Sequence, residues 1–562
     1  MLRFVLTALL GNRYTLFALI ILLYVATSPI IEGNTGVLRM ELPLLVYLYF
    51  CLNQLTRPSF WQPLVTALPL AMLYLGHDYY VLRFSRIPKW WDLHQVPELL
   101  GVMDRELTLV LAALLLLPIV LLLLNLRLSL RALLWLGPVL PVFIVPFTAP
   151  HTFVEAIKKQ SKQMIYYSAQ VNTSLNGRMI TSLYHEAKRL ETLQQLVNYR
   201  DIEKLTMRLT PQQGLQANGK NVHVVIMESF LDPALFTRVS KELRITPAHP
   251  DFQALFSPHM GFSISPIFGG YTAQPEFEVL CGVPAFQEFD SIEFNLFTGA
   301  KTYCLPGIFR QFGYSSSASN AFLPEFFNTP AAYRSLDFDA IYFAKEYTPT
   351  ADTYLKRGEE KTDGDEFFFD DDLMQQNLAF VEKKLQEGKP FFNYLLTIYG
   401  HFTFELGSRA GPVVFRVPEL PEAVEKILNQ HYYRTKALAH YLQRLTELDP
   451  TSLIVVVSDH LPPLPGGKGD YDRLGYFVND PERLLINRLL VIREGKPERY
   501  ERFTHFNLYR LILDFVTDRG YCQALPCPFE ATVDRERFRE DYRVLMGLGS
   551  APLKAAADGT GR

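Results

Sequence analysis

The sequence has no basic block and almost no surplus of either charge. Its 55 Lys+Arg stand against 58 Asp+Glu, a formal charge of -3. The cationic stripe of a nucleic-acid binder is therefore missing. No internal repeat is visible. Charge is scarce altogether, at 20% of residues against 49% hydrophobic, which excludes disorder as a global description. The 562 residues are too many for one ordinary core, since single cores stop growing near ~250–300 residues, so at least two units are expected.

Charge is absent from five long stretches near the N-terminus: Tyr14–Ile31, Leu42–Thr56, Pro58–His77, Leu107–Leu126 and Ala132–Pro150. Crossing a bilayer takes about 20 residues of helix (~17–25), so four are long enough and Leu42–Thr56 is short. The runs are read as five spans in a transmembrane domain over residues 1–150; a buried core helix suits only the second. A cleaved signal peptide is set aside, because no small-residue cleavage pattern follows the first run and further runs come directly after it. Arg3, Arg13, Arg57, Arg127 and Arg131 fall on alternate loops, which puts those loops in the cytoplasm. An odd number of spans then carries everything after Pro150 outside. Trp90–Trp91, in the external segment Arg83–Glu106, fits a stretch lying at the interface.

Cysteine is also scarce. Cys51 lies within a span, whereas Cys281, Cys304, Cys522 and Cys527 would face an oxidising space where disulfides persist. Cys522 and Cys527 are close enough for a small loop, but four cysteines permit three pairings. Residues 151–219 read as juxtamembrane helices, 220–548 as an extracytoplasmic domain and 549–562 as a loose tail.

The soluble part has three continuous apolar runs, Asn221–Met227, Phe391–Ile398 and Ser452–Val457. Such runs, separated by helical patterns, imply a largely parallel sheet covered on both faces. They end in Glu228-Ser229, Gly400-His401 and Ser458-Asp459-His460. In open α/β sheets ligands gather beyond the carboxyl ends of the strands, so the endings could converge. Carboxylates with an imidazole suit a divalent metal such as Mn²⁺ or Zn²⁺. Taken singly each ending is weak, because an Asp-His pair at a strand end is more often structural. Thr272 lies between the turn glycines Gly269-Gly270 and a good first helical turn, Pro275-Glu276. A hydroxyl there either caps the helix, the more ordinary reading, or meets an anion at the helix N-terminus.

Together the motifs N-V-x-V-V-I-M-E-S-F (221–230), G-G-x-T-A-x-x-E-F-E-V-L-x-G (269–282), G-H-F (400–402) and S-D-H (458–460) resemble the lipoteichoic acid synthase branch of the alkaline phosphatase and sulfatase superfamily. The resemblance covers about Asn221–Leu461, and the five-span N-terminal part is similar to that branch as well. It implies an α/β sulfatase-like catalytic domain outside the cytoplasmic membrane. Thr272 would be nucleophile and metal ligand, Glu228, Asp459 and His460 would complete one metal site, Mn²⁺ before Zn²⁺ or Mg²⁺, and His401 would assist the leaving or attacking oxygen. The implied reaction moves phosphoglycerol from phosphatidylglycerol, through a phospho-threonine, to a glycan or glycolipid.

Where members using phosphoglycerol carry a Phe-Trp-Asn-Arg run preceded by histidine, residues 317–330 place Asn320, Phe327 and Thr329 instead of the histidine, tryptophan and arginine. Arg334 is the nearby basic residue that could reach in, and phosphoethanolamine stays open as the headgroup. A sulfatase would need Cys or Ser followed by x-Pro-x-Arg; Cys304-Leu305-Pro306-Gly307-Ile308 has isoleucine in the arginine's place. A non-enzymatic scaffold is the other rival, and it would have lost Glu228, Thr272, Asp459 or His460. A two-metal phosphatase would need further ligand clusters. The acidic run Glu366–Asp372 is a second cation site or, more simply, a helix start, and Pro462–Asp470 is a flap or a surface loop.

Overall fold

The computed structural model describes residues 37–84, 87, 116–160, 169–205, 214–289, 292–324, 326–357, 367–401, 404–525, 527, 529 and 534–552. It forms two compact units, Met1–Gln195 and Leu196–Arg562.

In the first unit the described elements include helices Leu42–Gln54, Gln62–Phe84, Leu140–Thr148 and Arg178–Leu196, the last ending just beyond the boundary. No described helix is long and apolar enough to cross a membrane. Pro69 lies inside Gln62–Phe84, which also carries His77, Asp78 and Arg83. The first expected span, Tyr14–Ile31, lies outside the described residues, as do Trp90–Trp91 and the tail from 553. The buried carboxylate of Glu41 accepts the backbone N–H groups of Arg178, Met179 and Ile180, satisfying donors that the start of a helix leaves over.

The second unit is built on one nine-stranded sheet. In chain order its strands are β1 (Val222–Met227), β2 (Gly261–Ile264), β3 (Ser315–Asn320), β4 (Ala340–Phe343), β5 (Phe391–Leu396), β6 (Leu453–Ser458), β7 (Ile486–Arg493), β8 (Lys496–Glu498) and β9 (Phe503–Thr504). Their spatial order is β4-β3-β5-β1-β6-β7-β2-β9, with β8 beside β7. The five strands from β4 to β6 are parallel, and β7 turns antiparallel to β6 and β2. The three apolar runs are thus adjacent central strands, and every residue of β1, β5 and β6 is buried.

Alternate residues of β1 serve two cores, as a pleated strand covered on both sides requires. Val222, Val224 and Ile226 pack with the helices Ala273–Cys281 and His505–Val516. Val225 and Met227 face the helices Asp370–Gln386 and Glu422–Leu448. Disulfides join Cys281 to Cys304 and Cys522 to Cys527, one of the open pairings.

Candidate active site

Register brings the strand ends together. Ile226 of β1 pairs with Leu396 of β5 and Val457 of β6, and Met227 pairs with Ser458, so Glu228 leaves the sheet level with Asp459. The Ser229 and His460 N–H groups both donate to Asp459 Oδ1, at 2.7 and 2.6 Å. Ser229 Oγ donates to Glu228 Oε1 at 2.8 Å. Ligand atoms of Glu228, Asp459 and His460 lie within 4.8 Å of one another, and this is the one such His/Cys/Asp/Glu group among the described residues.

The three residues fit a divalent cation by what they leave unsatisfied. Buried Asp459 Oδ2 and His460 Nε2 have no hydrogen-bond partner, a costly state unless something binds them. His460 Nδ1 lies 3.1 Å from the Leu461 carbonyl, which can only accept, so Nδ1 carries the proton and Nε2 presents its lone pair. Burial, then the neighbouring Glu228 charge, pushes the Asp459 carboxyl well above the usual carboxylate range. Burial opposes the Glu228 charge too, but its surroundings, the bond from the Ser229 hydroxyl among them, outweigh it and hold that group low. His460 is shifted down by burial and is neutral, the form that ligates.

Thr272 completes the cluster. It immediately precedes the helix Ala273–Cys281, yet its hydroxyl makes no capping bond. It donates instead to Glu228 Oε2 at 2.9 Å, which decides against the capping reading. Gly269 and Gly270 adopt φ of +79° and +132°, which glycine alone tolerates readily, and the Gly269 N–H is tied to Leu461 O beside His460. The strain continues into side chains that glycine does not relieve: Tyr271 has φ 60° and Ser229 has φ 47°. Such residues cost on the order of 1–3 kcal/mol each and collect where geometry is dictated by function.

His401 follows β5 and stands between aromatic rings, 5.8 Å from Phe322 and 5.0 Å from Phe367, centroid to centroid. It is close enough to interact electrostatically with both Glu228 and His460, which places it beside the cluster.

The weaker candidates lie differently. Asn320 ends β3 and is buried, with Oδ1 accepting from Phe322 N–H and Nδ2 turned to the Tyr333 hydroxyl. Phe327, at φ 55°, packs partly against the main core. Arg334 is exposed on the helix Thr329–Ser335. Thr329 is buried and its hydroxyl donates to Phe326 O, so it does not take an arginine's part.

In the acidic run Asp370, Asp371 and Asp372 open the helix Asp370–Gln386, whereas Glu366 lies outside the described residues. Asp370 pairs with Arg434, Asp371 with Gln375, and Asp372 with Arg409. Pro462–Asp470 packs on the Gly269-Gly270 turn, where Pro463 lies 3.5 Å from the position of a Cβ on Gly269. The motifs did not reveal Thr397, whose Oγ1 accepts the Glu228 N–H at 3.1 Å; Glu276, which belongs to the 269–282 motif, is buried against the hydroxyls of Tyr333 and Tyr394.

The sulfatase family model matches residues 220–517. A protein of Rhizobium meliloti (strain 1021) described as "Putative cyclic beta-1,2-glucan modification protein" is 30% identical over 269 residues. That match takes in 47% of this chain and 39% of the relative, so the chain spans about two fifths of the relative's length. Among solved structures, the lipoteichoic acid synthase LtaP from Listeria monocytogenes is similar with a TM-score of 0.44 and 17% identity, over 57% of this chain and 77% of that one. The Streptococcus pyogenes phosphoglycerol transferase GacH, in complex with sn-glycerol-1-phosphate, is similar with a TM-score of 0.43 and 14% identity, over 64% and 92%. With more than half of its length matched by that family's model, the chain belongs to the sulfatase family, within the alkaline phosphatase and sulfatase superfamily.

Proposed function

We propose that this protein is a metal-dependent membrane phosphotransferase that moves a phosphoglycerol group from phosphatidylglycerol, through a covalent threonine intermediate, to an extracytoplasmic glycan or glycolipid. One observation carries the reading: the Thr272 hydroxyl donates to a carboxylate of the Glu228, Asp459 and His460 cluster instead of capping its helix. A threonine hydroxyl is a weak nucleophile unless a base or a metal activates it.

Glu228, Asp459, His460 and Thr272 would hold the cation. When bound it supplies charge that lowers the pKa of the threonine hydroxyl and stabilises the phosphoryl oxygens. Glu228 Oε2 accepts the hydroxyl proton as Thr272 Oγ forms its bond to phosphorus. The phosphorus–oxygen bond to the diacylglycerol breaks, and His401 protonates that oxygen. In the second half His401 takes the proton of the acceptor hydroxyl, whose oxygen attacks phosphorus, and the bond to Thr272 breaks as Thr272 Oγ takes back the proton held by Glu228. The start of the Ala273–Cys281 helix faces the developing negative charge.

The formylglycine chemistry of a sulfatase is disfavoured twice. Ile308 stands where that motif needs arginine, and Cys304, the residue it would oxidise, is fully buried in a disulfide with Cys281. The two disulfides support an oxidising compartment outside the cytoplasm. The uncharged runs before residue 151 support a multi-pass anchor in the cytoplasmic membrane, which gives the domain lipid headgroups at high effective concentration. The glucan named in the similar Rhizobium protein supports a glucan acceptor.

Phosphoethanolamine is the second headgroup, favoured by buried Thr329 where an arginine fork would select phosphoglycerol. The test is to incubate the full-length protein in detergent with Mn²⁺ and either phosphatidylglycerol or phosphatidylethanolamine. Diacylglycerol release from the first alone supports the reading. Release from the second alone replaces the donor, and release from neither removes the function.

A further inference from the structure

A guanidinium lies beneath the two strand ends that carry Glu228 and His401. Arg434, from the middle of the Glu422–Leu448 helix, is 3% exposed. Its Nε donates to Asp370 Oδ2 at 2.7 Å and its Nη2 to Thr397 Oγ1 at 3.3 Å. Thr397 Oγ1 is the atom that accepts the Glu228 N–H. The guanidinium carbon also sits 5.1 Å from the centre of the Phe230 ring, two residues beyond Glu228. Gly400 closes the arrangement. A Cβ at that position would fall 2.1 Å from Arg434 Nη1 and 2.2 Å from the Glu228 carbonyl oxygen. The residue before His401, the Glu228 backbone and the guanidinium therefore meet at one point.

A buried ion pair is poor evidence of stabilisation, because desolvation offsets much of the attraction and an apolar pair of like volume often serves as well. Its place here calls for another account. We propose that Arg434, held by Asp370, is a positioning residue that sets Glu228, through Thr397, and His401, through Gly400, in a single geometry. Lysine supplies the charge but not three fixed donor directions. The inference deepens the function proposed above and rests on its metal site.

The test uses the full-length protein in detergent, well below its melting temperature, with Mn²⁺ affinity read from the electron paramagnetic resonance signal of the free ion. The variants are Arg434→Lys and the double variant Arg434→Met with Asp370→Leu, which strands no charge. Both are expected to bind Mn²⁺ about 10- to 100-fold more weakly, the usual effect of removing the groups that orient metal ligands. The kcat should fall similarly while KM for the lipid stays near the parent value. A loss of stability alone does not change the affinity of molecules that remain folded. Affinity and kcat within about twofold of the parent in folded Arg434→Lys overturn the inference, whether or not the double variant folds. Absence of Mn²⁺ binding by the parent protein overturns the metal site and the inference together, whereas normal binding by the parent and both variants overturns the inference alone.

Discussion

Thr272 and Glu228 are 44 positions apart in sequence, yet the hydroxyl of one donates to the carboxylate of the other at 2.9 Å. Thr272 stands at a helix start, where such a hydroxyl ordinarily satisfies a backbone N–H, and it makes no such bond. Thr272→Ala should therefore abolish diacylglycerol release with little loss of stability. Removing a true cap costs ~1 kcal/mol. Equilibrium denaturation decides: a loss of that size in Thr272→Ala means that the residue serves the helix after all.

Metal binding should depend on pH in one direction. Burial and Glu228 make Asp459 hold its proton more tightly than an ordinary carboxyl, whereas burial favours the neutral form of His460. A cation must displace the Asp459 proton and need not displace one from His460. Mn²⁺ affinity should thus rise about tenfold per pH unit for the single proton released, from pH 6 upward. Calorimetry in buffers of different ionisation enthalpy should show uptake of one proton by the buffer. Affinity that is flat across this range contradicts the protonation pattern.

Away from the site, burial raises the carboxyl of Glu293 from 4.5 to about 7. Its folded form holds the proton more tightly than its unfolded form. The stability this group allows is complete below the unfolded value and falls as pH rises to the folded one, a difference on the order of 3 kcal/mol. Glu293→Gln mimics the protonated form, and its Gln287 and Tyr542 contacts tolerate an amide. The variant should match the parent near pH 4 and exceed it at pH 8 in urea titrations. Equal stability at pH 8 removes the charge penalty.

The Cys281–Cys304 bridge closes a span of 23 residues and ties the end of the Ala273–Cys281 helix to the start of Leu305–Gln311. Replacing both cysteines with alanine should lower stability by ~3 kcal/mol. The unreduced parent, unfolded in guanidinium, should titrate a single thiol, that of Cys51. Five reactive thiols would place the chain in a reducing compartment.

The parts of the site that were legible in the sequence are those where the chain leaves a buried strand. An unbroken apolar run marks a covered strand, and a Glu, a His or an Asp-His after it, weak singly, gains weight when three adjacent strands end in this way. β1, β5 and β6, with Glu228, His401, Asp459 and His460, could be read in this way. The supports could not. Arg434 lies in a helix 64 residues from Asp370 and 37 from Thr397, and no local pattern marks such a pairing. The acidic stretch holding Asp370 reads as a helix start, and Asp370–Asp372 do open a helix, but Asp370 itself is fully buried. The weaker candidates came from aligning a loop whose backbone is unusual: Phe327 and Asn328 both have positive φ, which residue type alone does not announce.

The covalent step is tested most directly by intact mass and peptide mapping of the full-length protein after exposure to Mn²⁺ and headgroup-labelled phosphatidylglycerol without acceptor. The labelled phosphoglycerol should be found on the peptide containing Thr272, absent in Thr272→Ala and discharged when glycan is added. Diacylglycerol release with the label on another residue, or on none, would contradict a threonine nucleophile.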